Sequence, residues 1–486
     1  MSSIRTPLSD LRFEISHRFR PFDLIAPGFV VFDTDDPEVL KGGAGRTVLT
    51  GHAPVAPFST VLVDVGADPI GGAATAGGTV TAGLRSGEEG SEDGVVVVYD
   101  AGVGQVRLEV TVDGTTTVAA DAPVRPVLPH QLAVTVTGNV VTALVRDEGA
   151  EWGDPLLGRG ADVRSLVDLR DPGLLGRWEC AFGASGAGLR RVRAGYFGQV
   201  GLRDPQLITH ADGRPYTRDG RFFLTAGCAG MGFAQEAHWA VWEFDPDAPD
   251  RMRQTAKLFF AHDGIVTGDN AGHVVYDEAS GYFSLVVCGG DLPTPGVHVR
   301  CARTDADLLT GVHVIPNTRL AAPSTLSAWE PSLARIDGRW HVLYADVVRL
   351  VPELEFRPVL AVSEPGADLS APMTVAAVDT ASRRTEGCVL RRAGGRWWAL
   401  ATDDAQRVYK VYDMDLRRLG EIDAPYVSGG PHPQAFPVSS EPGADWVMVT
   451  FDDEQYAQDV LGYGTEGNVV VMRAPGARRS VPGAGR

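Results

Sequence analysis

The chain has 486 residues, which is enough for two to four domains with sizeable cores. Its formal net charge of −18 would repel phosphate backbones and anionic lipid, so nucleic acid and membranes are excluded as expected partners. The 58 glycines and 32 prolines, beside 44% hydrophobic residues, indicate many short elements joined by turns rather than disorder. This composition predicts an all-β protein.

The sequence contains neither a targeting segment nor a cysteine spacing typical of metal binding. No stretch approaches the roughly 18 apolar residues that a membrane span requires, and the first residues lack an apolar signal segment. We therefore expect a soluble, cytoplasmic protein. The cysteines are odd in number and have no CxxC spacing, which predicts reduced thiols in the core. They are Cys180, Cys228, Cys288, Cys301 and Cys388.

The N-terminal part of the chain alternates apolar and polar residues with period two. The pattern covers Thr60–Val65, Val95–Tyr99 and Val106–Val110, with turn signals at Asp113-Gly114 between strands. Hairpins of this kind close into a sandwich. We predict a β-sandwich of the jelly-roll type over residues 1–195, and the order of its pieces resembles the laminin-G-like or concanavalin-like domains of carbohydrate enzymes.

The rest of the chain, residues 196–486, repeats one pattern five times. Each copy is a turn glycine followed by an aromatic-rich strand, and successive glycines are 48 to 61 residues apart. Such spacing suits a four-stranded blade with loops, so we predict a five-bladed β-propeller. The glycines are Gly220, Gly281, Gly338, Gly395 and Gly443.

A polar residue precedes the repeated hairpin in every copy. The innermost strands of a propeller line one central channel, so these side chains should converge there. Carboxylates crowded into a partly desolvated funnel keep one acid protonated while another stays charged. Glycosidic bond cleavage needs this combination of general acid and carboxylate. The residues are Asp204, Asp269, Glu330, Glu386 and His432.

The motifs around these residues resemble the propeller glycosidases of glycoside hydrolase family 43 and, more distantly, family 32, over about residues 196–475. The motifs are Arg203-Asp204-Pro205, Trp329-Glu330-Pro331, Thr385-Glu386-Gly387 and Pro431-His432-Pro433. The resemblance implies that Asp204 is the catalytic base, Glu330 orients the acid and tunes its pKa, and Glu386 is the general acid. His432 would lie over the channel, where the family often has a metal ion or water beside its histidine.

Two departures from the family pattern stand out. Glu330 is a glutamate where the family usually has aspartate, and Cys388 follows Gly387 where family 43 commonly has proline. Family 43 is inverting, whereas family 32 would make Asp204 a nucleophile with retention of configuration. The sequence leaves this choice open.

Six residues are predicted to contact substrate, and each has a structural alternative. Gly268-Asp269-Asn270 is also turn chemistry, an arginine beside Asp204 also holds that carboxylate ionised, and a histidine between prolines also plugs the channel. Trp329 could instead face the blade interior. The predicted contacts are Arg203, His238, Asp269, His273, Trp329 and His432.

The expected substrate is a small oligosaccharide or glycoside containing a furanose or pentose. No cofactor is required, although a structural calcium or other ion in the channel, bound by His432, would fit the resemblance. The sandwich would bind carbohydrate or form a wall of the funnel. Two other functions stay open: a glycoside phosphorylase on the same propeller, and a non-catalytic carbohydrate-binding protein.

Overall fold

The computed structural model describes residues 8–42, 45–66, 78–153, 156–157, 163–290, 296–427, 430, 432–439, 441, 443–452 and 467–476. Seven β-sheets account for most of this part of the chain, which confirms the predicted all-β class. Pro431 of the predicted motif Pro431-His432-Pro433 lies outside the described residues.

Two of the sheets pack face to face as the predicted sandwich. The five-stranded sheet runs, from edge to edge, through Val140–Asp147, His130–Thr137, Phe58–Gly66, Gly188–Phe197 and Pro27–Thr34. The six-stranded sheet runs through Thr47–Leu49, Trp178–Ser185, Thr79–Ser86, Gly94–Asp100, Gln105–Val112 and Thr115–Pro123. Apolar side chains at alternate positions, such as Val61, Val63 and Val65, fill the core between them.

The five remaining sheets are the blades of a propeller, and the described helices are short. The α-helices span Pro37–Gly42 and Pro172–Leu175, and 3-10 turns span Val163–Ser165, Ala234–Glu236 and Pro249–Arg251. Blade 1 contains Gly201–Leu207, Thr217–Arg218, Arg221–Ala229, His238–Phe244, Arg253–His262, Ile265–Thr267 and Gly311–Pro316. Blade 2 contains Thr209–His210, Asn270–Asp277, Tyr282–Gly289, His298–Thr304 and Thr318–Arg319.

Blades 3 to 5 are four-stranded. Blade 3 contains Ser327–Ile336, Arg339–Arg349, Glu355–Ser363 and Met373–Val378. Blade 4 contains Thr385–Ala393, Arg396–Asp403, Val408–Tyr412 and Arg418–Ile422. Blade 5 contains Gln434–Pro437, Trp446–Phe451, Val469–Ala474 and Glu14–Phe19.

The repeated glycines lie at the hairpins that join the first long strand of each blade to the second. All five have φ between 73° and 86°, a left-handed conformation that glycine adopts at no steric cost. The repeat pattern therefore predicted both the number of blades and the positions of these turns.

Five apolar clusters hold neighbouring blades together and close the ring. Each cluster contains residues of two adjacent blades, as where Val275 of blade 2 packs with Trp340 of blade 3. The last of them joins blade 5 back to blade 1 through Phe436 and Phe222, whose ring centroids are 5.1 Å apart. The apolar face of every blade is thereby removed from water.

The outermost strand of blade 5 comes from the start of the chain, which corrects the predicted sandwich boundaries of 1–195. Glu14–Phe19 pairs antiparallel with Val469–Ala474, and Phe13 is buried among residues of blades 4 and 5. A three-stranded blade would expose an edge of unpaired backbone groups, and the N-terminal strand covers it. The sandwich itself begins at Pro27.

The five-stranded sheet of the sandwich lies against the propeller. Its outer face contributes Phe58 and Leu62 to a buried cluster that also contains Met231 and Phe259 of blade 1. A backbone hydrogen bond of 2.8 Å runs from the N–H of Val266 to the carbonyl of Arg170. The two domains therefore share a core beside the propeller channel.

All five cysteines are unpaired, as predicted. Four are buried, and Cys288 is half-buried. In the described residues no helix has the length and apolar character to cross a bilayer.

Candidate active site

Each blade has a residue with positive φ in or just before its innermost strand, and these five residues lie together at one end of the channel. The φ values lie between 39° and 63°, and in blades 1 to 4 the pairing register shifts there, as in a β-bulge. The five residues also line one small cavity of about 10 Å³. They are Asp204, Ala271, Glu330, Gly387 and His432.

Two prolines explain the bulges of blades 1 and 3. Pro205 and Pro331 have no N–H to donate to the neighbouring strand, so the ladder breaks at Asp204 and at Glu330. A left-handed conformation costs a residue with a side chain about 1–2 kcal/mol. Strain of this kind is concentrated at functional sites, and here it fixes the direction of two carboxylates.

His432 joins the two strained carboxylates. Its Nδ1 lies 2.9 Å from Oδ1 of Asp204, and its Nε2 lies 3.4 Å from Oε2 of Glu330. Oε2 of Glu330 also accepts a 2.7 Å hydrogen bond from the N–H of Gly387. Residues of blades 1, 3, 4 and 5 therefore meet at one point, although they lie far apart in the sequence.

The protonation of this cluster follows from burial and from the charges within it. Burial opposes ionisation of Asp204, but the positive charges of His432 and Arg203 outweigh it and lower the pKa of that carboxyl. Burial, followed by the negative charge of Glu386, raises the pKa of Glu330 to about 8. At neutral pH, Asp204 is a carboxylate and Glu330 holds a proton.

The same charges keep His432 protonated. Burial disfavours the imidazolium, yet Glu330, when it is ionised, and Asp204 raise the pKa of His432 well above its usual value, and at neutral pH the Asp204 carboxylate at 2.9 Å supplies this effect. The ring therefore acts as the counter-ion of the cluster at neutral pH.

Glu386 lies beside this cluster, one residue before the bulge of blade 4. Its carboxylate is a further hydrogen-bond partner of His432. Oε1 of Glu386 lies 3.3 Å from the place that a Cβ at Gly430 would take, so a side chain at position 430 would crowd it. Glu330 and Glu386 thus form a neighbouring pair of carboxyl groups.

A cavity of about 1080 Å³ opens above the cluster, between the propeller and the sandwich. Asp204, Glu330, Glu386 and His432 are part of its lining. The sandwich contributes the turn Gly138–Val140 and the side chains Arg164 and Arg170. One of the two predicted roles of the sandwich, a wall of the funnel, agrees with this arrangement.

Arg203 and Trp329, both predicted substrate contacts, also line the large cavity. The guanidinium of Arg203 lies over the ring of Phe451, 5.4 Å from its centroid. The indole of Trp329 packs against Phe356 and donates a 3.0 Å hydrogen bond to Ser327. Trp329 is half-buried: one side of the indole packs against its own blade, and the rest of the side chain is accessible from the cavity.

Asp269 is not part of the cluster, because the bulge of blade 2 falls at Ala271, although Asp269 also has a positive φ of 32°. Asp269 lines the cavity, but its Oδ1 accepts a 3.1 Å hydrogen bond from Thr267 and its Oδ2 lies 3.3 Å from Nε2 of His262. The predicted alignment of Asp269 with Asp204 was therefore wrong by two residues.

His273 lies in the channel below the site and does not line the large cavity. It is 3% exposed, and its ring nitrogens are bonded to the carbonyl of Leu207 and to the N–H of Leu333, each at 3.0 Å. These bonds connect blades 1, 2 and 3. The predicted substrate contact is wrong in this structure, where His273 has a structural role.

His238 is fully buried between the sandwich and blade 1 rather than in the site. Its Nε2 lies 2.8 Å from Nζ of Lys257, and its ring packs against Phe58 and Phe259. Burial lowers the pKa of His238 well below its usual value, so the ring is neutral. The predicted contact of His238 with substrate is therefore also wrong.

The predicted ion at His432 meets an unfavourable set of ligands. Asp204, Glu330 and His432 each offer an atom within 4.8 Å of the others. However, both ring nitrogens of His432 face carboxyl oxygens, and the protonated imidazolium has no lone pair for a cation. The residues in this arrangement do not fit a metal site.

Several residues of the site were not predicted. Cys288 accepts a 2.9 Å hydrogen bond from the N–H of Glu330 and lines the cavity, and burial raises the pKa of its thiol well above the usual value. Gly387 supplies an N–H, and Arg164 and Arg170 come from the sandwich. None of them is a polar side chain that precedes a repeated hairpin, and the prediction rested on such side chains.

No protein-family model matches the chain, and no curated protein matches it. Similar solved structures include a thermostable family-43 glycoside hydrolase, with 13% identity over 59% of this chain and 96% of that chain and a TM-score of 0.40. Another is the GH43_1 enzyme from Xanthomonas citri complexed with xylotriose, with 14% identity, 56% and 87% coverage and a TM-score of 0.41.

A third is the Bombyx mori GH32 β-fructofuranosidase, with 11% identity, 56% and 60% coverage and a TM-score of 0.35. Families 43 and 32 are those that the sequence motifs resemble. Similarity at this level assigns no activity to the chain, so its function has to be argued from the site.

Proposed function

We propose that the chain hydrolyses glycosidic bonds. The observation that carries the proposal is the convergence of Asp204, Glu330 and Glu386 around His432 at the base of one cavity, with the pKa of Asp204 lowered and that of Glu330 raised. Two carboxyl groups of opposite protonation are what cleavage of a glycoside requires. A site that only bound sugar would have no need of them.

Asp204 is the carboxylate of the pair, since His432 and Arg203 hold it ionised. It either activates a water molecule or attacks the anomeric carbon. Glu386 donates a proton to the leaving oxygen, as the sequence resemblance implies. Glu330 lies beside Glu386 and has its own pKa raised to about 8, so the proton that Glu330 holds at neutral pH is next to the proposed donor.

The proposed substrate is a short glycan with a furanoside or pentose unit. The sugar class is supported by the resemblance of the motifs to those of families 43 and 32. The size is supported by the cavity, because about 1080 Å³ exceeds what a single sugar ring fills. The wall formed by Gly138–Val140 of the sandwich would contact the part of the glycan that extends away from Asp204.

Activity on nitrophenyl arabinofuranoside, nitrophenyl xyloside and fructan oligomers tests the proposal. We expect turnover, and losses of more than about a hundredfold in both Asp204→Asn and Glu386→Gln. Asp269→Asn is the matched control, because this carboxylate lines the same cavity but faces His262, and we expect it to keep most of the activity. Near-normal rates in Asp204→Asn or Glu386→Gln would contradict the proposal.

The same assay separates the two other functions. Turnover that depends on added phosphate and yields a sugar phosphate would identify a phosphorylase. Saturable binding of the oligosaccharide without turnover would identify a binding protein. The anomer formed first, followed by proton NMR, distinguishes inversion from retention and thus the role of Asp204 as base or nucleophile.

A further inference from the structure

Arg391 is a buried cation for which the described residues supply no carboxylate partner. It lies on the innermost strand of blade 4 and is 2% exposed. Its Nη2 donates a 3.2 Å hydrogen bond to Oε1 of Gln434, but Nε and Nη1 have no hydrogen-bond partner in the described part of the chain. A buried charge without a partner is strongly unfavourable, so a counter-ion is expected.

Two further buried donors lie beside Arg391 without partners among the described residues. Oε1 of Gln434 accepts hydrogen bonds from Arg391 and from the N–H of Leu207, which fixes the amide so that Nε2 is the free donor. Tyr409 is fully buried in the cluster between blades 4 and 5, close enough to Arg391 to influence its pKa, and the Tyr409 hydroxyl has no hydrogen-bond partner among the described residues. Arg391, Gln434 and Tyr409 therefore present several unsatisfied hydrogens in one dry region.

Donors outnumber acceptors in this region. Two unpartnered side-chain acceptors lie in this region among the described residues: Oε1 of Gln206, which shares the channel cavity with Gln434, and the hydroxyl of Thr402, which is opposite Tyr409 in blade 4 and can also donate. A water molecule donates as many hydrogen bonds as it accepts, so water alone would leave hydrogens unmatched. An anion accepts from every side and also balances the charge.

The neighbouring titratable side chain does not balance Arg391. His273 lies close enough for the guanidinium to lower its pKa, which burial and Arg391 together bring to about 3. The ring is neutral, and both of its nitrogens are already bonded. Arg391 itself stays charged at neutral pH, because burial lowers its pKa only to about 10.

We propose that Arg391, Gln434 and Tyr409 bind a small monovalent anion of the halide class in the core of the propeller, below the carboxylates. Arg391 and Tyr409 are at most 2% exposed and line neither of the two cavities described above, so the space between them admits only a group of about the size of a water molecule, which excludes phosphate and sugar acids. The anion fastens blade 4, through Arg391, to blade 5, through Gln434. This site is independent of the proposed hydrolase activity.

Crystals of the wild-type protein soaked in sodium bromide provide the direct test. We expect an anomalous bromide peak in contact with Arg391 and Tyr409. Ordered water at that place, empty density, or bromide bound only at surface positions would overturn the proposal. The measurement needs no substrate, so its failure and the failure of the hydrolase proposal are distinguishable.

Thermal unfolding provides a second test with a matched control. An anion that binds the folded state stabilises it, so Tm should be higher in sodium chloride than in sodium gluconate of equal ionic strength, by about 2 °C or more. Arg391→Met should lose this difference. Arg392→Met should keep it, because Arg392 is the next residue on the same strand and is exposed. Equal Tm values of the wild type in the two salts would count against the site.

Discussion

Replacement of His432 by asparagine should move the whole pH profile of activity toward higher pH. Asparagine tolerates the left-handed backbone at this position, where φ is 39°. The substitution removes the positive charge that lies 2.9 Å from Asp204 and 3.4 Å from Glu330. Without this positive charge, burial raises the pKa of both carboxyl groups further.

The size of the shift follows from the contact between His432 and Asp204. A hydrogen bond to a charged group contributes about 1.5–3 kcal/mol, and one pKa unit corresponds to about 1.36 kcal/mol. The pKa of Asp204 should therefore rise by about 1–2 units. The acidic limb of the kcat/KM profile should move to higher pH by the same amount. At pH values below that limb, kcat/KM should therefore fall about 10- to 100-fold.

The basic limb should also move to higher pH, because the charge of His432 lowers the pKa of Glu330 in the wild type and the variant lacks that charge. The assay is kcat/KM for a nitrophenyl glycoside between pH 4 and 10, with circular dichroism to establish folding. His262→Asn is the control, since His262 is buried beside the cavity but contacts Asp269 rather than Asp204. An acidic limb that stays in place or moves down in His432→Asn would refute the reasoning.

Two further predictions concern stability. Lys257 is fully buried, and burial lowers its pKa from 10.5 to about 8. The free energy of unfolding should therefore increase as pH rises from about 8 to 10.5, because the unfolded chain binds a proton there that the folded protein does not. At pH 7, keeping Lys257 charged in the folded protein costs about 3 kcal/mol. Urea unfolding of Lys257→Met should give a free energy of unfolding about 1–2 kcal/mol higher at pH 7, with no increase in stability between pH 8 and 10.5. A less stable variant that keeps the alkaline increase in stability would contradict this. Phe13→Ala should cost about 3–5 kcal/mol, because Phe13 is 4% exposed in the closure of blade 5. Ile15→Ala, at 43% exposure in the neighbouring strand, should change stability by less than about 0.5 kcal/mol, and equal losses in the two variants would argue against the closure.

The fold could be predicted from the sequence because its signals are local and repeated. The turn glycines, such as Gly281 and Gly338, mark hairpins that form wherever glycine relieves a left-handed backbone. The closing strand Glu14–Phe19 could not be predicted in this way. It has only six residues, of which Glu14 and Arg18 are charged, and its partner strand lies 450 or more residues away in the sequence.

The site residues were predictable where a proline or aromatic motif marks their position on the innermost strand of a blade. Asp204-Pro205 and Glu330-Pro331 mark two bulges directly, and both carboxylates lie where the motifs placed them. In blade 2 the bulge falls on Ala271, which no motif marks, so Asp269 was aligned to the wrong position.

The histidines were harder to assign from sequence. His238 and His273 are buried and bonded to groups from distant segments, and a histidine in a strand carries no sign of which face it occupies. The sandwich wall was foreseen as an option, but Arg164 and Arg170 were not, since only the packing of the two domains brings them to the cavity.

A crystal structure of Glu386→Gln with an uncleaved oligosaccharide is the sharpest test of the proposed hydrolase. We expect the glycosidic oxygen to lie within hydrogen-bond reach of residue 386 and the anomeric carbon to face Asp204. A glycan bound on another surface, or one in the cavity with its linkage away from these two side chains, would contradict it.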